Sequence, residues 1–174
     1  EPKGSCTKFE QLPTTSMILM ETHFANGKWI TACGTLAQLL NSSALPNWIL
    51  RVKAVDATNL DNLVETVERF DSKKKFAFVS DSQRASRFLR KKGPQWLFAA
   101  DPASLVRMQM FASLWIETAM DFWPDFVFAS ADPHSSSFLP ERLAEEFTRR
   151  HKRIVWDGNE NPLITVQGRV SGYP

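Results

Sequence analysis

Residues 76–102 read FAFVSDSQRASRFLRKKGPQWLFAADP, and their order is that of a strand, a helix, a second strand and the start of a second helix. Phe76-Ala-Phe-Val79 is a short continuous apolar run, the pattern of a strand covered on both faces. Asp81 or Ser82 then opens a helix, because a short oxygen-bearing side chain can accept the first free backbone N–H groups. The helix carries Phe88 and Leu89 and closes on Lys92 and Gly93, a cationic last turn with a glycine stop. Trp96-Leu-Phe-Ala99 repeats the strand. Asp101-Pro102 repeats the helix start, as a cap followed by proline at the first helical position.

The same alternation extends in both directions. Upstream, Met17 to Phe24 predicts a buried strand, Asn26-Gly27 a tight turn of residues that tolerate positive φ, and Trp29 to Ala32 the partner strand. Thr35 caps a short helix with Leu36, Leu39 and Leu40 on one side, and Trp48 to Ala54 is strand-like again. Leu60, Leu63, Val64, Val67 and Phe70 recur at helical spacing, with Asp61, Glu65 and Glu68 opposite. Downstream come a long apolar stretch over Leu105 to Met120 and a strand over Phe126 to Ala129. A helix over Leu139 to His151 follows, with Leu143 and Phe147 inward, then a strand over Ile154 to Trp156. A further short strand is expected at Leu163 to Val166. Residues 1–16, rich in Pro, Lys, Ser and Thr, read as an N-terminal arm or linker, leaving residues 17–174 as a single α/β domain.

Strand and helix alternating about five times predict a parallel sheet with helices outside it. The junctions read Cys33-Gly34, Ser80-Asp81, Ala100-Asp101 and Ser130-Ala131-Asp132, and no glycine-rich phosphate loop follows any strand. The expected fold is therefore a parallel (β/α) barrel in preference to an open nucleotide-binding sheet. With 174 residues against the usual ~200 or more, it is expected to be short or incomplete.

Composition narrows the function. The chain is 43% apolar and 23% charged, ordinary for a globular domain, and 21 basic against 19 acidic residues leave a charge of +2. That balance gives no concentrated field for nucleic acid. The basic runs Lys73 to Lys75 and Arg149 to Arg153 fall at helix ends or strand starts and read as solvated faces. No apolar segment approaches the roughly 20 residues of a membrane span, so a soluble chain is expected. Cys6 and Cys33 are too few for a four-ligand zinc site. They either form one disulfide in an oxidising, extracytoplasmic compartment or remain thiols.

Several residues invite a chemical role. Glu21 and His23 alternate along one strand and share a face. Cys33, ahead of a helix, has the placement of a thiol with a lowered pKa, for which His23 would be the partner. Asp132, His134 and Ser135 to Ser137 suggest a hydrolase only at first sight, since triads are assembled from distant loops and no Gly-x-Ser-x-Gly elbow is present. The aromatic stretch 111–126, with Trp115, Phe122 and Trp123, reads as core, or as a contact surface for a protein partner or a membrane if it is exposed.

The order Leu19-Met-Glu-Thr-His23, Asn26-Gly27, Trp29-Ile-Thr-Ala-Cys33-Gly34, Thr35-Leu36 and Leu50-Arg-Val-Lys53 resembles the glycerophosphodiester phosphodiesterases, a family of (β/α) barrels. The likeness runs over residues 17–157, with Val79-Ser-Asp81 matching a later strand and Leu143 to Asp157 a late helix and strand. The resemblance implies metal-dependent cleavage of glycerol-phosphate diesters in active relatives. It also implies that Cys33 and Gly34 stand where a catalytic His and its neighbouring acid would be, and Arg51 where a metal-binding Glu would be. Glu21 as the metal-side carboxylate and Lys53 are what survive, and the first family strand with its His-Arg-Gly has no counterpart here.

The expected function is a degenerate, non-catalytic phosphodiesterase-like domain that binds a phosphate-bearing ligand, with Arg51, Lys53, His23 and Cys33 as ligand contacts and no cofactor. The alternatives are an active phosphodiesterase using Mg²⁺ or Ca²⁺ on a glycerophosphodiester, its first strand lying outside this sequence, and an interaction module built on residues 111–126.

Overall fold

The computed structural model describes residues 17–43, 47–53, 56–116, 119–129, 139–156 and 165–166. The arm expected over 1–16, with Cys6, and the loop holding Asp132, His134 and Ser135 to Ser137 lie outside them. Strand β1 (Met17–Ala25) turns at Asn26 and Gly27, both at positive φ, into the antiparallel β2 (Lys28–Thr31). A second tight turn leads to β3 (Gly34–Thr35), and Gly34 takes φ +110, a conformation that a side chain would strain. Helix α1 (Leu36–Ser42) follows, capped by Thr35. Then come β4 (Asn47–Val52), α2 (Ala57–Glu68), β5 (Lys75–Ser80), α3 (Gln83–Lys92), β6 (Leu97–Phe98) and α4 (Pro102–Ser113). The chain goes on through β7 (Phe126–Ala129), α5 (Glu141–Arg149), β8 (Arg153–Trp156) and β9 (Thr165–Val166).

The result is a mixed α/β fold on a mostly parallel sheet. β1, β4, β5 and β6 pair in that order, all parallel. A parallel bridge from Ala99 to Phe126 joins β6 to β7, and β7 pairs parallel with β8. Spatial order therefore follows chain order from β4 to β8 without the reversal that marks a doubly wound sheet. The hairpin β2–β3 runs antiparallel along the upper half of β1, and β9 pairs antiparallel with Met17 and Ile18 at its lower end.

Alternation along the strands separates two faces. Ile18, Met20, Trp48, Leu50, Val52, Phe76, Phe78 and Phe98 point to one side, where they pack with Leu36 and Leu40 of α1, Leu60, Leu63 and Val67 of α2 and Leu89 of α3. Further along, Val127 and Ala129 pack with Met108 of α4 and Leu143 and Phe147 of α5. Ile49, Ala77, Ala99 and Phe126 form the other face, with Leu19, Val79, Leu97, Phe128 and Val155 around them. Helices thus cover one face, and the opposite face leads to the strand ends.

The helix ends follow the capping chemistry. Ser82 is the cap of α3, its hydroxyl accepting from the Ala85 N–H, so Asp81 is left free for another role. Asp101 caps α4 from a buried position, Oδ1 accepting from the Ser104 N–H at 2.9 Å and Oδ2 from its hydroxyl at 2.6 Å. The expected strand over Trp96 to Ala99 shortens to Leu97–Phe98, because Trp96 turns its indole N–H onto Asp71 at 2.8 Å. The apolar run from Leu105 to Met120 does not continue as one helix. α4 stops at Ser113, with Trp115 at φ +62, the Trp115 N–H on the Ala112 carbonyl and the Ile116 N–H on that of Phe111. Those two bonds are a Schellman motif with tryptophan where glycine is usual.

The basic runs are not simply solvated. Lys74 is buried and donates to the Ser43 carbonyl at 2.7 Å, 5.9 Å from the Trp48 ring centre. Burial, with the neighbouring Lys73 charge, lowers its pKa. Arg149 and Arg150 both hold Glu146, and Arg150 also reaches the Met120 carbonyl.

Candidate functional site

The face opposite the helices becomes charged where the parallel strands end. Leu19 is followed on it by Glu21, Ile49 by Arg51 and then Lys53, and Val79 by Asp81, since residues two apart share a face. Parallel register sets Glu21 opposite Arg51 and Arg51 opposite Val79. The end of β4 is tied to β1 through Lys53 N–H to the Thr22 carbonyl at 3.4 Å and the Thr22 hydroxyl to the Arg51 carbonyl at 3.0 Å. Three strands so deliver two cations and two carboxylates to one place, the end at which α/β barrels and open sheets hold their ligands.

Arg51 lies between the acids. Its guanidinium is 3.8 Å from Glu21 and 3.5 Å from Asp81, while Lys53 Nζ is 3.5 Å from the other Glu21 oxygen. All three contacts are longer than the roughly 2.7–2.9 Å of a charge-assisted hydrogen bond. Arg51 Nε is buried and has no hydrogen-bond partner among the described residues. The heads of the four side chains are half-exposed, so each pair adds little stability and exchanges readily for a better partner. The cluster is neutral as a whole, its positive groups held apart by carboxylates that lie within ion-pair reach but not hydrogen-bonded.

The expected contacts divide. Glu21, Arg51 and Lys53 converge. His23 shares the face of Glu21 further along β1, opposite Ile30, and its exposed ring makes no hydrogen bond or ion pair among the described residues. Cys33 stands on the β2–β3 turn, its N–H on the Thr31 hydroxyl at 3.1 Å, and packs against the helix-side core. Its sulfur is in a disulfide, which leaves no thiol to act as nucleophile or acid. Asp81, read from the sequence as a helix cap and as the end of the Val79-Ser-Asp81 strand match, was not among the expected ligand contacts. The signal for it was its position straight after an apolar strand, in Val79-Ser-Asp81.

Among the described residues no three His, Cys, Asp or Glu side chains cluster so as to hold a metal ion, and no helix is long and apolar enough to cross a membrane. No family model, no curated protein and no solved structure matches the chain.

Proposed function

We propose that the chain is a degenerate phosphodiesterase-like (β/α) barrel, short or incomplete, that has lost catalysis and binds a phosphate-bearing ligand at the C-terminal ends of its strands. The observation that carries this reading is Arg51, whose guanidinium lies between Glu21 and Asp81 with Lys53 beside it. A hard divalent cation needs several oxygens converging on it, and here a tethered cation occupies the space between the two carboxylates. An arginine with a lysine beside it suits a phosphate, which can accept two parallel bonds from the fork. The present pairs are loose enough to be given up for such bonds. Two features of the fold support the barrel reading: spatial order follows chain order, and the strand, Asn-Gly turn, short strand, helix and strand of the family resemblance recur as β1 to β4.

The test is thermal unfolding with inorganic phosphate or glycerol 3-phosphate. A ligand at about a hundredfold excess over its Kd adds about 2.7 kcal/mol, roughly 5–10 °C for a chain of this size. The shift is expected to vanish in Arg51→Ala and Lys53→Ala. Glu21→Gln removes the competing carboxylate and is expected to tighten binding by up to about fivefold. Absence of any shift, or release of glycerol 3-phosphate from a glycerophosphodiester with Mg²⁺ or Ca²⁺ that Glu21→Ala abolishes, overturns the proposal.

A further inference from the structure

α3 and α4 share an outer face, lining one hollow between them. Across Gln83–Lys92, α3 carries Arg84, Arg87, Arg90, Lys91 and Lys92 and no acid. Lys92 turns away to Asp61 on α2 at 2.8 Å, and Arg90 is held by the Trp123 carbonyl at 3.1 Å and Asp125 at 3.5 Å. Arg84, Arg87 and Lys91, spaced three and four apart, form one exposed stripe and have no carboxylate in ion-pair reach among the described residues. Beside them, Arg87, Arg90, Lys91 and Trp123 line a groove of about 370 Å³. A second hollow, of about 240 Å³, shares Arg87 and Trp123 with it and brings in Arg107 from α4 and one acid, Asp121.

The neighbouring side of α4 is apolar and exposed. Val106, Met110 and Leu114 recur every four residues along α4, at 52%, 61% and 66% exposure, and Trp115 follows at 76%. Arg107 lies about one turn before Met110 and two before Leu114, on the same side of α4, so the apolar stripe and the basic groove adjoin. Trp115 is fixed rather than loose. The Arg142 guanidinium stacks 3.4 Å from its ring centre, and its backbone holds a left-handed conformation that residues with a Cβ seldom adopt.

We propose that the α3–α4 face docks on an anionic lipid surface, with Arg87, Lys91 and Arg107 on headgroup phosphates and Met110, Leu114 and Trp115 in the interface. The occupant follows from the charge: Arg87, Lys91 and Arg107, none of them in an ion pair among the described residues, border a protruding apolar ridge ending in tryptophan, the combination that holds a peripheral protein at a headgroup boundary. A protein partner of the apolar ridge alone would leave α3 without a counter-charge. The surface lies on the helix side of the sheet and is independent of the strand-end cluster around Arg51.

Co-sedimentation of the full chain with vesicles tests it. Binding is expected to vesicles of phosphatidylcholine with phosphatidylglycerol, to be weak on phosphatidylcholine alone, and to fall with added salt. Each cation near such a surface is worth about fivefold in partitioning, so Arg87→Ala with Lys91→Ala is expected to lower it about 25-fold. Trp115→Gly, which the backbone favours, is expected to keep the fold by circular dichroism, weaken binding, and abolish the blue shift of tryptophan fluorescence seen on vesicles. Arg51→Ala with Lys53→Ala is expected to bind vesicles as the parent chain does, which separates this surface from the phosphate site. Free phosphate at the same phosphorus concentration is expected not to compete. Equal binding to neutral and anionic vesicles, no binding to either, or concentration-dependent self-association that Leu114→Ser removes in place of vesicle binding would each overturn the proposal.

Discussion

Glu146 is a carboxylate on α5 with only 7% of its surface exposed, and its two oxygens are taken by Arg149 at 2.7 Å and Arg150 at 2.5 Å. Hydrogen bonding from Arg149 first, with Arg150 adding to it and burial opposing, lowers its pKa from 4.5 to about 2. At about 1.4 kcal/mol per pH unit the shift corresponds to about 3 kcal/mol. The folded chain holds this proton more weakly than the unfolded one, so the stabilisation is complete above pH 4.5 and is lost as pH falls towards about 2. Glu146→Gln is expected to destabilise the chain by about 3 kcal/mol at neutral pH, measured by urea unfolding, and to flatten the acid limb of the stability profile. Part of this residue scale was readable beforehand and part was not. Glu21 stood out by its alternation with His23 and Lys53 through the family resemblance, but their meeting with Asp81 depends on the parallel register of β1, β4 and β5, and no local pattern encodes register between strands far apart in the chain. Glu146 was missed for a different reason: Arg149 and Arg150 stand three and four residues on, a spacing written in the sequence, but they looked like a solvated basic run because the burial of the carboxylate was not.

Element boundaries reflect conflicts between local preference and packing. α4 was expected to run with its hydrophobicity towards Met120. It ends at Ser113 because the chain turns through Trp115, and much of the apolar character beyond Val106 serves the outside of the molecule rather than the core. Trp115→Gly is expected to stabilise the fold relative to Trp115→Ala by about 1 kcal/mol, read from paired denaturation curves, since glycine meets the left-handed position without a Cβ clash. The opposite rule holds at Gly93. A Cβ there would meet the Trp96 ring at 2.2 Å, while that ring is fixed by its bond to Asp71. Gly93→Ala is expected to cost about 1–3 kcal/mol in thermal or chemical denaturation. The α1 and α3 starts, the Asn26-Gly27 turn and the Asp101-Pro102 cap were legible because each is decided within a few residues by capping or by φ, whereas α2 was legible from the helical spacing of Leu60, Leu63, Val64 and Val67.

At the scale of the molecule, alternation of strand and helix was enough to predict a parallel α/β sheet, and the neighbour order of β4 to β8 agrees with it. The disulfide at Cys33 adds a long-range tie to the edge hairpin. Reduction is expected to lower stability by about 2–4 kcal/mol, seen as a lower melting temperature in the presence of a reductant. Aromatic packing carries the sheet's covered face across several strands, with Phe78 between Trp96 and Phe98 at centroid distances of 5.1 and 5.7 Å.

Neighbour order also bears on how the chain assembles. From β4 to β8 each new strand pairs with the one before it, so a chain emerging residue by residue can add each strand and its helix to a finished edge without waiting for distant sequence. Such a molecule grows from one side, with the newest strand always the open edge. β9 departs from that rule: it pairs with Met17 and Ile18, the first residues of β1. A segment that follows β4 to β8 in the chain therefore closes on β1, and β9 can take its place beside Met17 and Ile18 only after those strands have been made.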